Sequence, residues 1–187
     1  MSATNRGTKR KESDFYATPI DCVENILKNI NLNKYGNKLL EPSAGNGNIV
    51  NVLKKYYNKN ITSCELRKEE INNLQNISDE VIIDDFLIHD FKDQKFDIII
   101  GNPPYSLAIE FVKKCLNLLE DKGVLIFLLR TAFLESKSRY EFWQQNPLSG
   151  LYTLSKRPSF TGHGTDATSY SWFVWDKSTN LQKIKVI

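Results

Sequence analysis

Hydrophobic residues follow two alternating patterns along this chain. From Ile20 to Ile30, directly after Pro19, apolar residues recur at helical spacing, and proline favours the first turn of a helix. Short apolar runs such as residues 96–101 and 124–129 are instead typical of buried strands. The complete pattern predicts helices near residues 19–30, 48–57, 67–75, 108–119 and 140–146, and strands near residues 38–43, 61–66, 80–86, 95–102, 123–130, 150–156 and 169–177.

The alternation of strands with helices predicts an α/β fold. Such units form a parallel sheet that helices cover on both faces, with right-handed connections. In this class of sheet, ligands bind beyond the carboxyl ends of the strands, where the strand order reverses. The chain has 187 residues, 41% of them hydrophobic, and no repeat or low-complexity segment, so we expect one domain with a single core.

Composition argues against membrane, disulfide and metal proteins. The longest apolar runs are too short to span a bilayer, and the polar first residues lack a signal-peptide apolar segment, so we expect a cytoplasmic protein with no membrane partner. Cys22, Cys64 and Cys115 are odd in number and far apart, which fits neither a disulfide framework nor a zinc site; we expect core thiols. His89 and His163 lack metal-ligand spacing, and His89 is expected on a loop surface.

The net charge of +3 is concentrated at the start of the chain. Residues 1–15 hold four basic and two acidic side chains, so only +1 remains on the other 172 residues. The body is therefore not a strongly basic nucleic-acid binder. We interpret residues 1–13 as a basic N-terminal arm and residues 14–187 as the functional domain. The arm could contact phosphates, although many short charged termini are only solvated.

A glycine turn follows the first predicted strand, in EPSAGNGN. Gly45 and Gly47 allow a tight turn and a close approach to a ligand, while the next helix offers unpaired N–H groups. Val50 stands where a dinucleotide fingerprint would have its third glycine, which argues against NAD. Glu65 ends the second strand, where a carboxylate can accept hydrogen bonds from ribose hydroxyls.

The third predicted strand ends in Asp84, Asp85 and Phe86. A carboxylate and an aromatic ring at this position can hold the amino group and the flat face of adenine. Each of these residues alone has a plain structural explanation, as a surface acid or a core ring. Three consecutive strands that end in a glycine loop, an acid, and an acid with an aromatic together predict a nucleoside pocket.

The fourth strand runs into Asn102, Pro103, Pro104 and Tyr105. Two prolines fix φ and remove two backbone donors, so these residues form a stiff corner with bare carbonyls. If residues 96–101 lie beside residues 38–43, this corner meets the glycine turn where the strand order reverses.

At this point the chain resembles a known family. EPSAGNG and NPPY are similar to the cofactor and catalytic motifs of S-adenosylmethionine-dependent amino-methyltransferases, and residues 84–106 resemble that region of bacterial DNA adenine methyltransferases. DFYATP resembles the cofactor motif that gamma-type enzymes place before the glycine loop. The resemblance covers about residues 14–130, with RPSF a weaker match.

The resemblance implies a single Rossmann-like class I methyltransferase domain, with a mostly parallel seven-stranded sheet and an antiparallel last strand. It implies methyl transfer from S-adenosylmethionine to the N6 amino group of adenine in DNA, in a restriction-modification or phage-type modification system. Gamma enzymes usually carry a separate C-terminal target-recognition domain, and this chain ends where that domain would begin. We therefore expect a relaxed target sequence or a second subunit for recognition.

The resemblance also implies site residues. In the catalytic corner, Asn102 Oδ1 and the Pro103 carbonyl would accept the two N–H bonds of the target amine, Pro104 would stiffen the corner, and Tyr105 would stack on a flipped base, with no metal required. The cofactor-binding residues would be Tyr16, Thr18, Pro19, Glu41, Pro42, Ser43, Ala44, Gly45, Gly47, Glu65, Leu66, Asp85, Phe86 and Asn102.

Two further stretches are candidates for substrate contact. Residues 157–169 hold Arg157 and Phe160 in a glycine-punctuated loop, which suits an aromatic that packs on an extruded base but also an ordinary connection. Residues 133–143 interleave Arg139 with aromatics, which more often pack a helix on a sheet. We predict Tyr105, Phe160, Arg157 and Arg139 as substrate-binding residues.

Other functions remain open. Enzymes that methylate RNA bases or glutamine side chains share the NPPY motif, so RNA or protein substrates are alternatives. A glutamine methyltransferase would need a peptide groove in place of a basic arm. A binding module with an inactive pocket is a third possibility. The intact motifs argue against it, because every position that the chemistry requires is present.

Overall fold

The computed structural model describes residues 17–160 and 167–187. The basic arm, Tyr16 and His163 lie outside these residues. The α-helices are α1 (Ile20–Leu27), α2 (Asn48–Tyr56), α3 (Ile71–Gln75), α4 (Ala108–Leu118) and α5 (Tyr140–Gln145). Short 3₁₀ turns span Leu32–Lys34, Lys68–Glu70, Tyr105–Leu107, Thr131–Leu134 and Lys137–Arg139.

The described residues form one eight-stranded sheet. Its strands are β1 (Lys38–Glu41), β2 (Asn60–Glu65), β3 (Glu80–Ile83), β4 (Phe96–Gly101), β5 (Leu119–Arg130), β6 (Gly150–Thr153), β7 (Tyr170–Asp176) and β8 (Lys183–Val186). Their order across the sheet is β3-β2-β1-β4-β5-β7-β6-β8. Strands β1 to β5 pair in parallel, and β7 runs antiparallel to both β5 and β6. This confirms the α/β prediction of a mostly parallel sheet.

The predicted count of seven strands was one too few. The run 169–177 is antiparallel as expected, but it is not the last strand, because β8 follows it and pairs in parallel with β6 at the sheet edge. All four residues of β8 are exposed, with Ile184 at 86%. A strand that buries neither face lacks the alternation of polar and apolar positions on which sequence prediction depends.

Two predicted boundaries also shift. The strand predicted near residues 123–130 begins earlier, at Leu119 directly after α4, where Leu119 pairs with Phe96 of β4. The helix predicted from residue 67 begins only at Ile71, after a 3₁₀ turn. Glu65 accepts hydrogen bonds from both the main chain and the side chain of Arg67, whose backbone is extended.

Alternate residues of the central strands enter two hydrophobic clusters. One contains Leu39, Ile98, Val124, Trp172 and residues of α1 and α2, and the other contains Leu40, Ile99, Leu125, Phe173 and residues of α4. Both faces of the sheet are therefore covered, as the continuous apolar runs predicted. Cys22, Cys64 and Cys115 are buried and free, and burial raises the pKa of Cys22 and of Cys64 to about 12, which confirms their assignment as core thiols.

The sheet reverses its order between β1 and β4. Leu39 and Leu40 of β1 pair with Ile98 and Ile99 of β4, which confirms the predicted adjacency. The loops that follow β1 and β4 therefore leave the same edge of the sheet side by side. Along the described residues, no helix has the length and apolar character needed to cross a membrane.

Candidate active site

A cleft opens at the carboxyl ends of β1 to β4. It contains about 820 Å³ of space, a figure that includes its open mouth. Eleven of the fourteen predicted cofactor residues line it: Thr18, Glu41, Pro42, Ser43, Ala44, Gly45, Glu65, Leu66, Asp85, Phe86 and Asn102. Sequence reasoning did not find the other lining residues Ala17, Asn46, Asn48, Ile49, Arg67, Leu107 and Phe111.

The glycine loop uses its two glycines differently. Gly45 lines the cleft with φ of +56°, and Gly47 caps α2 with φ of +78°. A Cβ on Gly47 would lie 2.3 Å from Cδ1 of Ile77, so a side chain there would collide with the core. Gly47 therefore shapes the turn rather than lining the cleft, while Gly45 forms part of the wall.

Glu65 joins the loops that follow β1 and β2. Its Oε2 accepts a hydrogen bond from the Gly45 main-chain N–H at 2.7 Å, and its Oε1 accepts from the Arg67 main chain at 3.0 Å and from Arg67 Nε at 3.1 Å. A carboxylate has about four acceptor sites, so these three bonds leave room for a ligand hydroxyl. Glu65 both lines the cleft and holds the glycine loop in place.

Glu41 is a carboxylate buried at the floor of the cleft. It is 1% exposed, and no described residue gives its Oε2 a hydrogen bond. Burial, with a further contribution from the charge of Glu65, raises the pKa of Glu41 well above its usual range. A positively charged ligand group would remove this penalty by pairing with the carboxylate.

The loop after β3 is held by internal contacts. Asp84 Oδ2 lies 2.8 Å from Nδ1 of His89, and this hydrogen bond lowers the pKa of Asp84. His89 was predicted on a loop surface, but its side chain is only 27% exposed because it pairs with Asp84 and packs against Phe91. Asp85 Oδ1 accepts from the Leu87 main chain at 2.9 Å. The loop is preformed.

Phe86 belongs to both the core and the cleft. It is 3% exposed and its ring centroid lies 4.8 Å from that of Phe111. Lys114 Nζ lies 5.2 Å from the centre of the Phe86 ring and donates hydrogen bonds to the carbonyls of Leu87 and His89. These contacts from α4 fix the ring where it lines the cleft.

The NPPY corner directly follows Gly101, where the chain passes close to β1. A Cβ on Gly101 would lie 3.2 Å from Cδ of Pro42. Asn102 Nδ2 donates to Thr18 Oγ1 at 3.1 Å, and Pro104, with φ of −54° and ψ of 122°, lines the cleft. The corner therefore contributes Asn102 and Pro104 to the same cleft as the glycine loop.

Tyr105 begins a 3₁₀ turn directly after Pro104 and packs against Tyr170 at the start of β7. Its ring centroid lies 5.6 Å from that of Tyr170 at the start of β7, and the centroid of Phe160 lies 5.1 Å from Tyr170 on another side. The guanidinium carbon of Arg130, at the end of β5, lies 5.2 Å from the centre of the Tyr105 ring. Arg130 was not predicted as a site residue.

The structure does not bring the two predicted substrate arginines to this corner. Arg139 donates to the main-chain carbonyls of Ala132, Phe133 and Glu135, so its guanidinium holds the turn at the end of β5. Arg157 is exposed and lines a separate groove beside α1, together with Pro19. In the same region as Arg139, Trp143 stacks on Trp175 with an interplanar angle of 3°. This aromatic therefore packs α5 on the sheet, as the alternative interpretation of residues 133–143 predicted.

Comparisons with known proteins identify similar sequences and folds. Residues 21–110 match the Eco57I restriction-modification methylase family model. The chain is 30% identical over 155 residues to a type II methyltransferase, M.CvrRI, from Paramecium bursaria Chlorella virus XZ-6E, covering 71% of this chain and 40% of that protein. The chain thus spans about two fifths of the length of this relative.

Two solved structures share the fold. One, from Listeria monocytogenes, is described as a class I S-adenosylmethionine-dependent methyltransferase (TM-score 0.70, 14% identity, 97% of this chain and 68% of that chain). The other, from Pyrococcus horikoshii, is described as an RNA methyltransferase (TM-score 0.70, 17% identity, 94% of this chain and 95% of that chain). The chain has the class I methyltransferase fold.

The buried position of Glu41 leads to a stability prediction. Because the folded-state pKa of Glu41 lies above its unfolded value, the folded protein holds a proton that the unfolded chain releases. Stability is therefore lost as pH rises above the ordinary carboxyl pKa, by about 1.4 kcal/mol for each unit by which the pKa is raised. Glu41→Gln should make the ligand-free protein more stable than the wild type at pH 8, and the difference should shrink towards pH 4.

Chemical denaturation across this pH range measures the effect. Glu110→Gln, on the exposed surface of α4, is the matched control and should show no such pH-dependent gain. The other ionisable groups that line the cleft are Glu65, Arg67, Asp84 and Asp85, and they are unchanged in both variants. A Glu41→Gln protein that is less stable than the wild type at every pH would contradict the interpretation.

Proposed function

We propose that the protein transfers a methyl group from S-adenosylmethionine to the N6 amino group of adenine in DNA. The observation that carries this proposal is that Asn102 and Pro104 of the NPPY corner line the same cleft as Glu41, Gly45 and Glu65. A nucleoside-type cofactor and a planar amino group could therefore meet at the reversal point of one sheet. The family match and the Chlorella virus relative support methylation within a restriction-modification setting.

The residues of the cleft fit S-adenosylmethionine. Glu41 offers a buried carboxylate oxygen that no described residue engages, which suits the ammonium of the cofactor's amino acid. Glu65 has acceptor capacity for ribose hydroxyls, and the wall at Gly45 has no side chain to keep a ligand away. Asp85 and Phe86 would hold the adenine end. The cofactor, once bound, supplies an electrophilic methyl group on a sulfonium.

Asn102 and Pro103 would act on the target amine. An adenine amino nitrogen is a poor nucleophile because its lone pair is delocalised into the ring. Acceptance of its two N–H bonds by Asn102 Oδ1 and the Pro103 carbonyl would draw the nitrogen towards tetrahedral geometry and free the lone pair. The consecutive prolines Pro103 and Pro104 fix the backbone of the corner, so little reorganisation of the Pro103 carbonyl is needed at the transition state.

The aromatic group beside the corner supports a flat substrate. Tyr105 would stack on the base; its ring packs against Tyr170, which in turn packs against Phe160. A base inside a duplex cannot reach this corner, so it would be flipped out of the stack. Arg139 and Arg157 are engaged elsewhere or distant, whereas Arg130 places a cation beside Tyr105 and is the better candidate for contact with the nucleotide.

The cofactor assignment is testable by calorimetric titration with S-adenosylmethionine. Gly45→Val should abolish binding, because a β-branched side chain is strained at φ of +56° and would fill the wall. Glu65→Ala should weaken binding by about 1–3 kcal/mol, the range for hydrogen bonds to a charged group. Glu80→Ala, an acid at the opposite end of the neighbouring strand, is the control and should bind normally. Tight binding in both folded cleft variants, or binding of NADH alone, would overturn the cofactor assignment.

Asn102→Ala separates binding from chemistry. Because Asn102 is proposed to act on the target amine, its loss should reduce single-turnover methyl transfer by about 10²–10³-fold, the effect of removing one preorganised hydrogen-bonding group. Cofactor affinity should stay within about threefold. Asn117→Ala, at the exposed end of α4, is the matched control. Full transfer by Asn102→Ala would show that the corner is only structural.

The substrate is identified by mass spectrometry. The protein is incubated with methyl-labelled S-adenosylmethionine and, separately, with DNA, RNA and a protein mixture, and the digested products are analysed. We expect labelled N6-methyladenine in DNA, and none when Asn102→Ala replaces the wild type. If labelled N6-methyladenine appeared in RNA alone, RNA would be the substrate and the proposed mechanism would stand. If labelled methylglutamine appeared in protein, both the DNA substrate and base flipping would be overturned.

A further inference from the structure

Thr18 connects three parts of the cleft. It is 5% exposed and lies directly before Pro19, the N-cap of α1. Its hydroxyl oxygen accepts a hydrogen bond from Asn102 Nδ2 at 3.1 Å, and its main-chain carbonyl accepts one from Asn48 Nδ2 at 2.9 Å. The segment before α1 is thereby tied both to the NPPY corner and to the start of α2.

The contact with Asn102 solves a problem of orientation. The two ends of a carboxamide have nearly the same shape, but only the oxygen accepts hydrogen bonds and only the nitrogen donates them. In the proposed reaction Asn102 must present its oxygen to an amino group, and a flipped amide would present two N–H donors instead. Hydrophobic packing cannot distinguish the two orientations, whereas a fixed acceptor on the nitrogen side can.

We propose that Thr18 is a positioning residue that fixes the side-chain amide of Asn102 so that Oδ1, and not Nδ2, is presented to the target amino group. This inference rests on the proposed function and adds to it a residue that acts through Asn102. The sequence suggested only that Thr18 contacts the cofactor, which its place on the cleft wall still allows.

The backbone of Thr18 is well suited to this role. A residue before proline is restricted to extended conformations, and Pro19 has φ of −60°. The hydrogen bond from Asn48 holds the Thr18 carbonyl from the other side. These contacts hold the Thr18 backbone beside Asn102, whose Nδ2 donates a hydrogen bond to the Thr18 hydroxyl. Because Asn48 opens α2 directly after the glycine loop, the position of Thr18 is also tied to that loop.

Thr18→Val tests the inference because it keeps the shape and removes the acceptor. Single-turnover methyl transfer at saturating S-adenosylmethionine should fall about three- to tenfold, the factor for one neutral hydrogen bond, while the midpoint of thermal unfolding changes little. Thr18→Ser keeps the hydroxyl and should restore the rate to within about twofold. Thr62→Val removes a hydroxyl from β2 that bonds Glu80, and is the matched control with an unchanged rate.

Measuring the effect of Thr18→Val in a second variant, Asn102→Asp, separates an effect on amide orientation from a general structural effect. In Asn102→Asp both ends of the side chain are oxygens, so its orientation no longer matters. Thr18→Val should then cost less than about twofold in the transfer rate when it is added to Asn102→Asp. An equal cost in both backgrounds would assign Thr18 a merely structural role and overturn the proposal.

Nuclear magnetic resonance of protein with ¹⁵N-labelled asparagine gives a readout that needs no activity. The Nδ2 proton resonances of Asn102, assigned by their loss in Asn102→Ala, should move or broaden in Thr18→Val and stay in place in Thr18→Ser. Identical resonances in wild type and Thr18→Val would overturn the proposal. Full methyl transfer by Asn102→Ala would instead overturn the proposed function. If Asn102→Ala were inactive and Thr18→Val fully active, the proposed function would stand and only the positioning role of Thr18 would be overturned.

Discussion

The whole site depends on the adjacency of β1 and β4. Parallel strands deliver their following loops to the same edge of the sheet, and here the two neighbours lead helices to opposite faces, so a gap opens between the loops. The gap stays narrow because Gly101 has no side chain where Pro42 passes, and a Cβ would lie only 3.2 Å from the Pro42 ring. A glycine loop and an amide-bearing corner, separate in sequence, become two walls of one cleft.

This arrangement explains how much of the molecule could be predicted from its sequence. Apolar runs of β-branched and aromatic residues identify β4 and β7. Strands buried on both faces need such continuous apolar sequences, so their pattern is visible in the sequence. The cleft residues that end strands, such as Glu65, followed from the rule that ligands bind at the carboxyl edge. The edge strand β8 has no buried face and hence no signal, and Arg139 resembled a substrate contact until its guanidinium was found on three main-chain carbonyls.

Other features required coordinates because they arise from tertiary contacts. Thr18 and Asn102 are 84 positions apart, and a threonine before a proline suggests only an extended backbone. Arg130 ends an apolar strand, where an arginine is ordinary, and its relation to Tyr105 comes from the strand order. The second use of Glu65, as the acceptor that holds Gly45 and Arg67, depends on the meeting of the loops that follow β1 and β2.

The two acids of the cleft show how binding and stability oppose each other here. Glu65 is engaged by N–H donors and stabilises the loops around it, whereas Glu41 lies buried with an oxygen that no described residue engages, so it carries a cost that folding alone does not recover. In the proposed function, the cofactor side of the cleft would be built by β1 to β3, and the substrate side by β4, β5 and β7. Under that assignment, Tyr105, Tyr170 and Arg130 could change to suit a different base or nucleic acid without disturbing Glu41 or Glu65. The Pyrococcus horikoshii structure that shares this fold is described as an RNA methyltransferase, so the substrate must be argued from the site and not from the fold.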